Sequence, residues 1–203
     1  GPGPGGLTRA LLDAGAKTLT CIEADERFAA ALNEWPETQD GRLRVIQHDA
    51  RKVEWARLPA VVEATEPVMI VANLPYNVGT KMLINWISAS PRFWEQMVLM
   101  FQLEVAQRVC AQPGESHYGR LAVLCQSVAS CRIAMEVPAR LFTPPPKVDS
   151  AVIVLDPLDT PFEDLKALGE VTRAAFGQRR KMLRASLKPF AKRKGLDLGD
   201  WLE

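Results

Sequence analysis

Histidine is almost missing from this 203-residue chain, which has only His48 and His117. Cysteine is sparse too: Cys21, Cys110, Cys125 and Cys131 include no Cys-x-x-Cys pair, and neither histidine pairs with one of them. A zinc site of the usual Cys/His kind is thereby excluded, and no metal is expected. Three of the thiols fall in apolar stretches and read as buried, free and kept in a reducing compartment, so a cytoplasmic location is expected. No apolar run approaches the ~20 residues of a membrane-spanning helix, so no membrane partner is expected either. No initiating Met is present: the chain opens on Gly1-Pro2-Gly3-Pro4-Gly5-Gly6, which reads as a chain without its first segment.

Net charge is also small, at +1, but its distribution is uneven. Between Arg173 and Lys194 there is no acid, while Arg173, Arg179, Arg180, Lys181, Arg184, Lys188, Lys192, Arg193 and Lys194 are all cationic. The remainder is net acidic. Such segregation points to a positive face suited to nucleic acid, with a solvated helical surface as the plainer reading. An apolar share of 47% with 24% charged residues fits a globular domain with one core and a small appendage.

Short apolar runs alternate with helical patterns. Strands are expected at Thr18–Ile22, Arg44–Gln47, Val68–Ala72 and Met97–Phe101, and helices at Leu7–Ala14, Asp25–Glu34, Thr80–Ser88 and Glu104–Ala111. This order implies βαβ units, a mostly parallel α/β sheet, and ligands outside the carboxyl ends of the strands. Two later runs, Arg132–Val137 and Ala151–Leu155, flank a turn-rich segment and suggest an antiparallel pair at a sheet edge. After Pro157 the chain becomes helical and basic, so residues 1–157 are expected to form one domain and residues 158–203 a second, shortened helical one.

Gly1, Gly3 and Gly6 satisfy G-x-G-x-x-G ahead of a helix, which lets a backbone approach a ligand closely. Glu23 closes the following strand, where a carboxylate can accept from both ribose hydroxyls. Asp49 closes the next, within reach of an adenine amine. These three features fit a nicotinamide cofactor as well as another nucleoside cofactor. Glu23 also reads as a surface carboxylate, and Asp49 as a cap for the residues from Ala50 onward.

Asn73-Leu74-Pro75-Tyr76 follows the strand Val68–Ala72 and falls at its carboxyl end. The lone pair of an adenine N6 amine is delocalised into the ring, so the amine is a poor nucleophile. An Asn73 carboxamide oxygen and a backbone carbonyl of the Leu74-Pro75 turn can accept its two hydrogens and favour sp³ character. Pro75 stiffens the turn, and Tyr76 offers a face for a flipped base. The plain alternative is a turn after a strand.

With this tetrapeptide the chain resembles the ribosomal RNA adenine dimethyltransferase family, in particular its bacterial small-subunit members linked to kasugamycin sensitivity. The matching pieces are GPGPGGLT at Gly1–Thr8, IEAD at Ile22–Asp25, HDA at His48–Ala50, NLPYNVGT at Asn73–Thr80 and EVAQR at Glu104–Arg108. YGRLAV at Tyr118–Val123, FTPPPKVDSAV at Phe142–Val152 and FGQRRKMLR at Phe176–Arg184 complete the set, in family order over nearly the whole chain. Leu103 departs from the pattern, since relatives often carry Lys or Arg there.

The resemblance implies a Rossmann-like class I methyltransferase sheet with a small C-terminal helical domain and S-adenosylmethionine as cofactor. By match, Gly1, Gly3 and Gly5 surround the methionine moiety, Glu23 and Ala24 the ribose, and Asp49 with Ala50 the adenine. Asn73, Leu74, Pro75 and Tyr76 hold the target base, Asn73 also adjoins the cofactor, and Phe142 stacks on the base from its other side. Lys147, Arg179, Arg180, Lys181 and Arg184 are the expected RNA contacts. The implied activity is dimethylation of N6 on two adjacent adenines near the 3′ end of small-subunit rRNA, in an immature 30S particle, by a monomeric enzyme. Rival readings are a large-subunit adenine methyltransferase, an RNA-binding assembly or transcription factor on the same fold, and a nicotinamide oxidoreductase.

Overall fold

A computed structural model describes residues 1–65, 67–75, 78–178 and 181–199. The chain divides into two compact units, Gly1–Phe101 and Gln102–Glu203.

In the first unit, α1 (Gly6–Asp13) leads into β1 (Leu19–Glu23), α2 (Glu26–Asn33), the single turn α3 (Pro36–Gln39) and β2 (Leu43–Gln47). β1 and β2 pair in parallel, with Leu19 opposite Leu43 and Glu23 opposite Gln47. Asp25 starts α2 because its carboxylate accepts the Arg27 N–H at 2.9 Å, a side-chain N-cap. Leu12, Ile22, Leu32 and Leu43 form the buried face of this βαβ layer. Burial of each such side chain stabilises by roughly 1.5–3 kcal/mol.

After the turn α4 (Pro59–Val62), β3 (Met69–Asn73), α5 (Gly79–Ile87) and β4 (Gln96–Gln102) repeat the unit. β3 and β4 are parallel, with Asn73 opposite Met100. Met97, Leu99 and Phe101 alternate inward along β4, and Leu83 and Trp86 of α5 are buried as well.

The second unit holds α6 (Leu103–Cys110), α7 (Arg120–Gln126), β5 (Ala129–Val137), β6 (Ser150–Pro157), α8 (Leu165–Phe176) and α9 (Leu183–Lys194). β5 and β6 are antiparallel, from Ala129 opposite Pro157 to Val137 opposite Ser150, with a register shift between Ile133 and Met135. α6 packs on both strands, α7 on β5 and α8, and α8 on α9. The last described strand ends at Pro157, where the change to a helical domain is expected, whereas the compact units divide at Phe101.

All four cysteines are free; Cys21 and Cys125 are buried. Burial pushes the Cys110 thiol up to about 11 and the Cys131 thiol to about 12. Among the described residues no helix is long and apolar enough to cross a membrane, and no cluster could hold a metal ion.

Candidate active site

The glycine segment turns back on itself: Gly5 N–H donates to the Pro2 carbonyl at 3.1 Å. Gly3 and Gly5 have φ of +55° and +90°, a region that favours glycine. Gly5 is the N-cap of α1 and its carbonyl accepts from Arg9 N–H, while Gly6 is already the first helical residue. The glycine that the bend requires is therefore Gly5, not the third glycine of the G-x-G-x-x-G pattern.

This bend delivers the Gly3 N–H to Glu23 Oε2 at 2.9 Å. Glu23 Oε1 accepts from Asp25 N–H, also at 2.9 Å, and the Glu23 carbonyl accepts from His48 N–H. Glu23 is 7% exposed, so it is not the surface carboxylate of the plain reading. Burial works to raise its pKa, but the N–H groups of Asp25, Gly3 and Ala24 outweigh it and hold the carboxyl below its usual value. A carboxylate has about four lone-pair sites, so capacity remains for a ribose hydroxyl. Ala24 beside it is exposed.

Asp49 lies just past the end of β2. It caps the short helix Ala50–Lys52 by accepting the Arg51 N–H at 2.9 Å. The Arg51 guanidinium also holds both carboxylate oxygens, at 2.9 Å to Oδ1 and 2.6 Å to Oδ2. That hydrogen-bonded pair depresses the Asp49 pKa well below the carboxylate range. The capping reading is thus present in the structure. In this pair the Arg51 side chain is largely exposed and that of Asp49 mostly covered. Gly3, Glu23, Asp49 and Ala50 gather at the carboxyl ends of the paired strands β1 and β2.

Asn73 is exposed and ends β3. Leu74 is buried, and its N–H donates to the Met100 carbonyl at 3.3 Å. The Pro75 carbonyl accepts from both Val78 N–H at 3.1 Å and Gly79 N–H at 2.9 Å. Of the two carbonyls in the expected turn, Pro75's is thus committed to the start of α5, and Leu74's is the acceptor to consider. Tyr76 lies outside the described residues.

A signal missed in the sequence sits beside this turn. A Cβ on Gly79 would lie 2.9 Å from Phe101 Cε1 and 3.0 Å from Leu74 Cβ. Only glycine lets α5 begin this close to the Asn73–Pro75 turn.

In the second unit, Phe142 is half-buried and follows the short helix Ala139–Leu141. Asp149, also missed, fastens this segment: its Oδ1 accepts from Ala139 N–H at 2.8 Å, and its carbonyl accepts from Leu103 N–H at 2.9 Å. Lys147, Lys181 and Arg184 are exposed, and Arg179 and Arg180 lie outside the described residues. Not every cation of the basic run is available for an anion. Lys194 pairs with Glu170 at 2.8 Å, and with Lys192 and Arg193 it occupies the last turn of α9, where positive charge stabilises the helix itself.

A family model described as ribosomal RNA adenine dimethylase matches residues 1–198. The chain is 52% identical over 205 residues to the ribosomal RNA small subunit methyltransferase A of Maricaulis maris, an alignment covering 100% of this chain and 70% of that protein. Among solved structures, it is similar to a dimethyladenosine transferase from Plasmodium falciparum, with TM-score 0.77, 27% identity and coverage of 97% and 73% of the two chains. The 23S rRNA methyltransferase ErmE is also similar, with TM-score 0.70, 27% identity and coverage of 97% and 80%. The fold is the class I S-adenosylmethionine-dependent methyltransferase fold, in agreement with the α/β reading of the sequence.

Proposed function

The chain belongs to the ribosomal RNA adenine dimethylase family, and from that premise we propose that it transfers methyl groups from S-adenosylmethionine to N6 of two adjacent adenines near the 3′ end of small-subunit rRNA. The observation that carries the chemistry is the Asn73–Pro75 turn: an exposed carboxamide at a strand end, followed by a buried leucine and a carbonyl already committed to the next helix. The small-subunit substrate is favoured because relatives named for the small subunit reach 54% identity, against 27% for the 23S rRNA methyltransferase ErmE.

The cofactor contributes a methyl group on a sulfonium, a carbon that is electrophilic without further activation. Gly3 and Glu23 fit that cofactor: the loop exposes backbone rather than side chains, and the ionised carboxylate keeps capacity for a ribose hydroxyl. Gly1, Gly5 and Ala24 complete that part of the cradle, and Asp49 with Ala50 takes the adenine. Asn73 Oδ1 and the Leu74 carbonyl accept the two N6 hydrogens of the target base, which localises the nitrogen lone pair for in-line attack. The family match assigns stacking on the base to Tyr76. N6 loses its proton after attack, once it is cationic, so positioning rather than a strong base carries the acceleration. Lys147, Arg179, Arg180, Lys181 and Arg184 supply the electrostatic grip on rRNA phosphates. The protein acts as a monomer, in the cytoplasm, on an immature 30S particle.

The deciding experiment is radiolabelled methyl transfer to small-subunit particles lacking the modification, with product nucleosides resolved by mass. N6,N6-dimethyladenosine confined to small-subunit rRNA is the expected result. Tight particle binding without transfer would replace this reading with an assembly factor on a methyltransferase fold.

A further inference from the structure

Trp35 lies outside every motif of the chain, yet it is built into the glycine loop. It precedes α3 as its N-cap. A Cβ on Gly5 would lie 2.6 Å from Trp35 Cη2, 2.8 Å from its Cζ2 and 2.9 Å from Leu32 Cδ2. The indole edge therefore rests directly on the Gly5 Cα, at the residue whose left-handed backbone makes the bend.

The indole is itself held. The Arg9 guanidinium carbon stands 4.2 Å from the ring centroid, in the range where a cation over an indole face attracts it. Arg9 is fixed in turn by Glu37, with Nη1 donating to Oε1 and Nη2 to Oε2 at 3.3 Å. Arg9 lies on α1, and its own N–H returns to the Gly5 carbonyl at 2.8 Å. The Trp35 backbone N–H and Thr38 Oγ1 both donate to the Leu32 carbonyl. The order of contact is Glu37, Arg9, Trp35, Gly5, and then, through the bend, Gly3 N–H on Glu23.

We infer that Trp35, clamped by Arg9 and Glu37, is a positioning residue that sets the affinity for S-adenosylmethionine by fixing the Gly1–Gly5 backbone against Glu23. This rests on the reading of that loop as the cofactor cradle. The contacts of Trp35 run to Gly5, Arg9 and Leu32, so its effect is expected on cofactor binding. Pre-ordering a loop raises affinity by removing the ordering that binding would otherwise require.

The test compares Trp35→Ala, Trp35→Phe, Arg9→Met and the control Glu23→Ala, each measured for S-adenosylmethionine Kd by calorimetry and for KM and kcat on unmodified small-subunit particles. Trp35→Ala should raise Kd and KM for the cofactor about tenfold, with kcat and particle affinity held within about twofold, the signature of lost uniform binding. Trp35→Phe, which keeps an aromatic ring under Arg9, should recover most of the affinity. Arg9→Met should give a smaller rise of about threefold, and it keeps the inference testable if Trp35→Ala does not fold. An unchanged cofactor Kd in folded Trp35→Ala or in Arg9→Met, beside a raised Kd in Glu23→Ala, overturns the inference and leaves the cradle reading intact. If Glu23→Ala also binds the cofactor normally, the cradle reading fails and takes the inference with it.

Discussion

Replacing Gly79 by alanine perturbs the base-holding turn while leaving Asn73, Leu74 and Pro75 themselves unsubstituted. The added methyl would sit 2.9 Å from Phe101 Cε1, 3.0 Å from Leu74 Cβ and 3.3 Å from Phe101 Cδ1. Carbon pairs rest at about 3.5–4.0 Å, so contacts of this length are repulsive. Phe101 is 2% exposed and Leu74 4%, so neither can swing into solvent to make room. Overpacking of this kind costs about 1–3 kcal/mol. The gain in helix propensity from glycine to alanine offsets at most about 1 kcal/mol of it. A net loss of up to about 2 kcal/mol follows, which for a chain of this length lowers the midpoint of thermal unfolding by up to about 8 °C. Because relief has to come partly from Leu74, its carbonyl moves by a few tenths of an ångström, and kcat for methyl transfer should fall while the cofactor KM stays put. Urea unfolding at constant m-value, with steady-state transfer on unmodified particles, measures both effects. A Gly79→Ala protein as stable as its parent and equally fast would refute the claim that close packing of α5 fixes this turn.

Three further outcomes are expected. Asn73→Ala should abolish transfer while leaving particle affinity largely intact, as read by filter binding beside the methylation assay; substantial residual dimethyladenosine would remove Asn73 from the acceptor role. Arg179→Ala combined with Arg180→Ala should weaken particle binding and reduce the magnitude of the log Kd against log salt slope by about 1–2; an unchanged slope would take both residues off the list of phosphate contacts. Asp25, hydrogen-bonded by the Arg27 side chain and backbone, titrates at about 2 instead of 3.8. A depressed folded pKa means that its contribution to stability is present above pH 4 and is lost as pH falls through about 2. Stability profiles of the parent and Asp25→Asn should therefore differ near neutrality and converge toward pH 2, and a gap that persists at pH 2 would exclude this origin.

The elements that could be read in the sequence are those whose cause is local. Asp25 caps its own helix, and the apolar runs ending at Glu23, Gln47 and Asn73 are strands of the expected α/β layer. α7 escaped notice because Leu121, Ala122, Leu124 and Cys125 are all buried, so the segment has no polar face from which a helical period could be read. α3 and α4 are single turns opened by Pro36 and Pro59, too short to leave a periodic pattern. The start of β5 at Ala129 was missed because Ser130 breaks the apolar run there. At the candidate site, Glu23 and Asn73 end strands, Asp49 caps a short helix and Gly3 lies in a glycine-rich turn, so the positions of these four stand out in the sequence. Trp35, Gly79 and Asp149 do not, because what each does depends on a partner far along the chain: Gly5, Phe101 and Ala139.

Asp149 closes the segment between Ala139 and itself like the stem of a loop, with Leu103 fastened to its carbonyl on the other side. Residues Phe142 to Lys147 thus lie between two pinned ends, ahead of Ser150, the first residue of the β6 register. The arrangement is that of a cassette. Its ends are tied by the Ala139–Asp149 hydrogen bond, so the six side chains between them are carried by a clasp outside the β-ladder.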